Sequence, residues 1–536
     1  MDMALEATNQ RGRYQIYLIL IVVFLPFTTY IIAAGYPYLT NIPIIYCQSK
    51  TENSPDIGYV KCDMDEYCKN PDLFNTKIDT KNSIDSLAEK YKLYCNRAFY
   101  SPLLNSFFFS GAILGVAICA NYPDRIGRVP VLKFLMIINI VAQVNYFFNL
   151  SIQHVLFVAF FSGFATYCNS VLSLLIVETM DSTWAGLVMS ARSASYGLVG
   201  ITLAFYFMII NSLHLLLFLN IVVSVSGFLL VQKYFVESAR WLNSKNRIMD
   251  AIDSLKSMAE INGSKEQFQT FLDVNQDMLQ ASHKEIKEIK TNYNIIQIFQ
   301  LKSQQRLIFM LIYIWFFVTV CFYGIFTSLN KNKGNIFINS IVTYTGEVIA
   351  EMSSGVLANR FGRVTVTETL SYMGGIAFIF SYFISGDFQF FKSIVLFVSS
   401  FGFAGSMNLL YIYTNEIFPL SIKALTFGFM YLVSRAGGVC VPIFLSFHYY
   451  PIILGCLSIS CGYLMGKLEE TLGRKLQDDV PEAVRHYSIL STAPVNQENL
   501  KLVKLSFNLG KEGINHDHFK LSFEEPKAPI ALSDKF

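Results

Sequence analysis

Twelve stretches of about twenty nearly apolar residues constrain this chain more than any other feature of its sequence. A helix needs about 20 apolar residues to cross a hydrocarbon core of about 30 Å. Tyr14–Pro37 is such a run, and its only polar side chains are hydroxyls and one glutamine. The twelve runs lie roughly at 15–38, 100–121, 130–150, 153–177, 187–210, 213–234, 305–329, 337–358, 365–385, 391–413, 424–446 and 449–466. Helix is the expectation for each, because an open strand in lipid leaves backbone groups unpaired. The first run is longer than a signal-peptide core and no small-residue cleavage site follows it, so it is expected to be a retained span. Composition agrees: 15% of the residues are charged and 53% hydrophobic, against about 25% charged in soluble domains. The net charge of +3 is small, and no nucleic-acid partner is expected.

Three polar stretches divide the chain. Residues 39–99 carry Cys47, Cys62, Cys68 and Cys95; residues 243–300 carry Lys256, Lys265, Lys284, Lys287 and Lys290; residues 467–536 form a polar tail. The expected organisation is an N-terminus and first span (1–38), a cysteine-bearing loop (39–99), the rest of a six-helix bundle (100–235), a helical linker (236–300), a second bundle (301–466) and the tail (467–536). Lys and Arg gather in cytoplasmic loops. With both termini cytoplasmic, the loop holding Arg125, Arg128 and Lys133, the loop holding Arg360 and Arg363, and the linker share that side, and residues 39–99 face a lumen or the exterior. Four cysteines there point to two disulfides with three pairings open, the competing reading being free thiols. The plasma membrane and organelle membranes, the mitochondrial inner membrane included, are both compatible.

A short loop motif occurs twice. Asp124-Arg125-Ile126-Gly127-Arg128 follows the second span, and Asn359-Arg360-Phe361-Gly362-Arg363 follows the eighth. Matching positions in two six-span halves mean an internal repeat. Glycine allows a tight turn, and the arginines can meet helix C-terminal carbonyls and acidic partners. Glu237-Ser238-Ala239-Arg240-Trp241-Leu242, Ala259-Glu260-Ile261-Asn262-Gly263, Trp315-Phe316, Tyr323-Gly324, Asn415-Glu416-Ile417-Phe418-Pro419 and Glu470-Thr471-Leu472-Gly473 add more specific signals. Together they resemble the major facilitator superfamily, most closely its organic cation, anion and carnitine branch, over about residues 11–483. The resemblance implies an all-α membrane protein of twelve transmembrane helices in two pseudo-symmetric six-helix bundles, with a disulfide-bearing loop after the first helix. It implies gating roles for Asp124, Arg125, Gly127, Arg128, Asn359, Arg360, Gly362, Arg363, Glu178, Glu237, Arg240 and Glu416. Ala120, Val129, Asn359, Leu420 and Lys423 depart from the family pattern, as does Ala185 where an arginine downstream of Glu178 is usual, and this weakens the expected charge relay.

Charges inside spans mark candidate sites. Arg435 lies in the eleventh span, in Ser434-Arg435-Ala436-Gly437-Gly438. In the resembled family this position faces the cavity, and a guanidinium there can hold a carboxylate bidentately; the alternative is a structural arginine paired with a glutamate. Glu347 and Glu351 lie four apart and share one helix face. With Arg435 they suit a zwitterion, or a carboxylate carried with a proton. Arg192 is expected to pair with Glu178. Trp315, Thr319, Phe322, Tyr323 and Phe326 form one face of the seventh span, able to stack on an organic substrate or hold ammonium by cation–π attraction, or else to pack as ordinary core. Tyr30, Tyr167 and Tyr411 are weaker candidates.

Neither a catalytic constellation, a Walker loop nor a metal-ligand cluster is present, and no cofactor is expected. Lys504-Leu505-Ser506-Phe507 recurs as Lys520-Leu521-Ser522-Phe523, a hairpin pattern that needs a surface to dock on. Two functions follow. The first is secondary-active transport of a small organic ion, carboxylate-bearing or zwitterionic like carnitine. The second is a transporter-fold subunit of a larger assembly, with protein partners on residues 485–536 and on the 39–99 loop.

Overall fold

The computed structural model describes residues 2–281 and 302–473, apart from 10, 50–58, 149, 181, 333, 386–387 and 419. The tail pattern, and Lys284, Lys287 and Lys290 of the linker, lie outside the described residues.

Among the described residues, twelve apolar helices make up two sets of six. In the first half they are α1 (Arg13–Leu39), α2 (Tyr100–Cys119), α3 (Arg128–Phe148), α4 (Ile152–Thr179), α5 (Ser182–Ile209) and α6 (Leu213–Tyr234). In the second they are α7 (Lys302–Thr327), α8 (Ile336–Phe361), α9 (Arg363–Phe383), α10 (Gln389–Ile417), α11 (Leu420–Leu445) and α12 (Tyr450–Met465). Nine helices among the described residues are long and apolar enough to cross a membrane. The other three are α8 and α9, long but richer in polar side chains, and α12, which has 16 residues. Several polar side chains of α8 and α9 turn inward: Asn408 of α10 donates to Ser354 (3.0 Å), Ser371 and Ser406 share a hydrogen bond (2.9 Å), and Ser458 of α12 donates to the Ser371 carbonyl (2.8 Å). In lipid such bonds join helices that hydrophobicity alone would not. The outside is apolar: Phe134, Ile137, Val141, Phe157, Phe380 and Phe383 are all exposed, a surface that water would not tolerate on a monomer.

Helix spacing within each half depends on glycine. A β-carbon on Gly111 of α2 would strike the Phe160 carbonyl of α4, and one on Gly163 would strike the Phe108 carbonyl. In the second half a β-carbon on Gly402 of α10 would meet the Leu370 carbonyl of α9. Backbones meet directly at these crossings.

Residues 40–49 and 59–99 form a small cap. Strands β1 (Ile45–Ser49), β2 (Val60–Lys61) and β3 (Phe74–Ile78) make an antiparallel sheet in the order β2-β1-β3. The pairing left open by the sequence is Cys47–Cys62 and Cys68–Cys95. The cap is fixed to the turn between α5 and α6: the Leu213 amide donates to Asp85 (2.7 Å), and Asn211, in a left-handed conformation, donates to the Ser83 carbonyl (2.8 Å). At the opposite end, helices Asp2–Glu6, Ala239–Ser244, Ile248–Asn262 and Lys265–Ala281 pack around Leu5, Trp241, Leu255 and Phe268.

The glycine crossings yield a direct expectation. Gly163→Val should lower thermal stability in detergent by about 1–3 kcal/mol or more, the usual cost of overpacking. Gly428→Ala, where nothing lies within 4 Å of the added carbon, should leave the melting temperature unchanged or raise it slightly.

Candidate functional site

Both signature loops build the same device. Gly127 (φ +112°) and Gly362 (φ +101°) make the turn into α3 and α9, in a region that side chains rarely adopt. The following arginine folds back. Arg128 makes a forked pair with Glu178 (3.0 and 2.8 Å), donates to the Pro123 carbonyl (2.8 Å) and meets Asp124 (3.0 Å). Arg363 makes the equivalent fork with Glu416 (3.1 and 3.1 Å) and donates to the Ala358 carbonyl (3.1 Å). A second carboxylate caps each helix. Glu237 accepts from the amides of Arg128 (2.9 Å) and Val129 (3.1 Å), and Glu470 accepts from those of Arg363 (2.8 Å) and Val364 (3.0 Å). An anion at a helix N-terminus meets both free amides and the positive end of the dipole.

Arg192 does not pair with Glu178 as expected from the sequence, because Arg128 occupies that carboxylate. Asn359 stands where Asp124 stands in the first half, so the second device lacks that outer ion pair, but its core fork is complete. Arg125, Arg360 and Asn359 are exposed. Arg240 donates to the Val177 carbonyl at the end of α4 (2.8 Å).

Between the halves, side chains from α1, α7, α10 and α11 converge on Arg435. The guanidinium is buried and donates to the Tyr323 hydroxyl (3.0 Å) and to the Tyr431 hydroxyl. It also lies over the Tyr431 ring, 4.5 Å from its centroid. Tyr30 of α1 and Tyr411 of α10 are close enough to act on it electrostatically. No carboxylate among the described residues lies within ion-pair distance, and its Nε has no hydrogen-bond partner. Arg192 of α5 reaches the same tyrosines, acting on Tyr30 and Tyr431, and its Nε is also unpartnered. Phe109 of α2 packs on Tyr323 (4.5 Å), and Tyr196 of α5 meets both Tyr323 and Phe322 (6.0 Å each).

The seventh-span face divides in two. Phe322 and Tyr323 point toward the first half. Trp315 donates to Thr414 of α10 (3.0 Å), and Thr319 bonds Ser434 of α11 (2.9 Å), so both tie α7 to its own half. Phe326 stacks on Tyr344 (4.7 Å). Glu347 and Glu351 are buried on the α8 face toward α5. Tyr431 and Glu470 complete these devices without having been singled out as site residues from the sequence. Tyr431 lies four residues before Arg435, a helical spacing that could have signalled the contact.

Four hydrogen bonds among the described residues join the halves at the end marked by Leu39 and Tyr100. They are Tyr344 to the Ala34 carbonyl (2.8 Å), Asn330 to Thr40 (3.0 Å), Ser106 to the Val439 carbonyl (3.0 Å) and Asn105 to the Gly438 carbonyl (3.5 Å).

A family model described as Major Facilitator Superfamily matches residues 97–442, well over half the chain. This chain belongs to the major facilitator superfamily. Its relatives within the superfamily include the human organic cation/carnitine transporter 2, 24% identical over 419 residues, covering 75% of this chain and 72% of the relative. Solute carrier family 22 member 6 of Pseudopleuronectes americanus is 23% identical over 483 residues, covering 86% and 83%. The organic cation transporter protein of Drosophila melanogaster is 24% identical over 440 residues, covering 78% and 77%. Among solved structures, the xylose transporter XylE from E. coli in a partially occluded inward-open conformation superposes with a TM-score of 0.57 at 12% identity, covering 86% of this chain and 98% of XylE. The human organic anion transporter MFSD10 superposes at 0.52 with 13% identity, covering 86% and 98%. This superfamily member is therefore a multi-pass membrane protein from a family of transporters rather than enzymes, homologous to organic cation, anion and carnitine transporters.

The caps carry a pH expectation. Burial pushes the Glu470 carboxyl up, but bonds from the amides of Leu472, Arg363, Val364 and Thr471 outweigh it and hold the group below the usual glutamate range. A lowered carboxylate stabilises the fold above its ordinary value of about 4.3, and that contribution fades as pH falls. Glu470→Gln should therefore melt below the wild type at pH 7, with the gap closing toward pH 4.

Proposed function

We propose that the chain is a secondary-active carrier of small organic ions bearing a carboxylate, zwitterions such as carnitine included. The observation that carries this reading is Arg435, a buried guanidinium held by tyrosine hydroxyls with no carboxylate of its own among the described residues. An uncompensated buried charge is costly, and an incoming carboxylate offsets that cost while gaining charge-assisted hydrogen bonds. The rings of Tyr323, Tyr411 and Tyr431 suit the apolar or ammonium part of such a molecule.

Movement is by alternating access, residues 1–235 rocking against 300–466 about the Arg435 site. The paired signature devices brace each half as a rigid body, and the glycine crossings keep each half tight. Both termini lie on the cytoplasm-equivalent side. The Cys47–Cys62 and Cys68–Cys95 disulfides support an oxidising exterior or lumen for the cap. The rival reading, a subunit of a larger assembly, draws on the tail and is not favoured by the transporter homology.

Uptake into proteoliposomes tests the assignment. Arg435→Ala should lower carboxylate uptake by about 10- to 150-fold, the equivalent of about 1.5–3 kcal/mol for a charged hydrogen bond. Arg435→Lys should fail to restore it, since a lysine has no planar fork. Unchanged uptake of every carboxylate by Arg435→Ala would refute the role.

A further inference from the structure

Carboxylate recognition at Arg435 leaves one buried group unexplained, the glutamate pair on α8. We propose that Glu347 and Glu351 form a proton-binding site that couples transport to a proton gradient, an inference that rests on the carrier reading above. The two carboxyls lie one helical turn apart, 1% and 8% exposed. Both oxygens of Glu347 and Oε2 of Glu351 lack a hydrogen-bond partner at bonding geometry. Among the described residues no Lys, Arg or His comes within ion-pair distance of either.

The surroundings are few. From α5, Gly197 and Tyr196 face Glu347 and Arg192 acts on Glu351; from α7 and α8 itself, Tyr323 and Tyr344 face Glu347. From α10, Asn408 donates to the Glu351 backbone carbonyl (3.2 Å) rather than to its carboxyl. Arg192 is thus the one cation acting on the pair among these groups. Two like charges one turn apart repel, and a carboxylate whose oxygens make no hydrogen bond is costly to bury. A shared proton removes both problems.

The site also spans the moving interface. Glu347 and Glu351 belong to the second half and Arg192 to the first. Gly197 and Gly200 let α5 close on Tyr344 and Val348, where a β-carbon would collide. That contact seals the pair from the Leu39 end. When the halves rock, Arg192 approaches Glu351. The carboxyl O–H then breaks, its proton leaves to water, and the carboxylate pairs with the guanidinium. One proton accompanies each substrate carboxylate across the membrane.

The full chain in proteoliposomes with trapped pyranine gives the test, with carnitine and other quaternary-ammonium carboxylates, which do not cross lipid as neutral acids, as probes. Adding a transported probe should acidify the interior, and an inward proton gradient should raise uptake several-fold over symmetric pH. Glu351→Gln and Glu347→Gln should bring that ratio to about one, whereas Glu351→Asp, which keeps a carboxyl, should retain it. Acceleration by a sodium gradient with no response to pH would overturn the inference, as would glutamine variants with the wild-type ratio. Uptake that is lost in Arg435→Ala but indifferent to pH removes the proton site and leaves the carrier reading. Failure of every probe to enter with the wild type counts against both.

Discussion

Hydrocarbon does not solvate a charge, and that constraint arranges this chain. Each polar side chain in a span must find a partner within the bundle, and each helix that carries one must turn it inward. Ser354 with Asn408, Ser371 with Ser406, and Ser458 with the Ser371 carbonyl do so through bonds between helices. Arg128 and Arg363 do so at the membrane edge, by forking onto Glu178 and Glu416. Arg435, like the Glu347 and Glu351 carboxyls, keeps a buried polar atom without a partner among the described residues. Its partners are neutral tyrosines, so its charge is softened by ring and hydroxyl but not cancelled.

The repeat shows how an old half-unit keeps its physics while its sequence drifts. The cap on α3 comes from Glu237, after α6, and the cap on α9 comes from Glu470, after α12. Each carboxylate closes the far end of its own half onto the same turn, so six helices are tied by one charged contact. Asn359 removes the outer ion pair that Asp124 supplies, yet the fork and the cap survive. The Asn359 departure thus falls on the rim of the device rather than on its centre.

Much of this was legible in the sequence because the lipid code is simple. Run lengths gave the helices, and the doubled glycine–arginine loop marked the two halves. Partners were harder to read. A residue inside a span declares which face it occupies, not which neighbour meets that face. Arg192 and Glu178 were therefore expected to pair, whereas Arg128 is closer to Glu178 and takes it. Trp315 and Thr319 share a helix face with Tyr323, but α10 and α11 supply hydroxyls that hold them inside the second half. Tyr431, whose ring lies beneath the Arg435 guanidinium, carries no sequence mark of its own beyond its spacing of four from Arg435. The cysteine pairing was undetermined because spacing alone does not tell which chain segments a small sheet brings together.

The central claim is that this guanidinium receives the substrate. Density for the purified protein with a saturating, transported carboxylate tests it most directly. The account predicts the ligand's carboxylate against Arg435, between Tyr323 and Tyr431, with the rest of the molecule on the tyrosine rings. A bound, transported ligand lodged elsewhere, with Arg435 still packed only on its tyrosines, would contradict it.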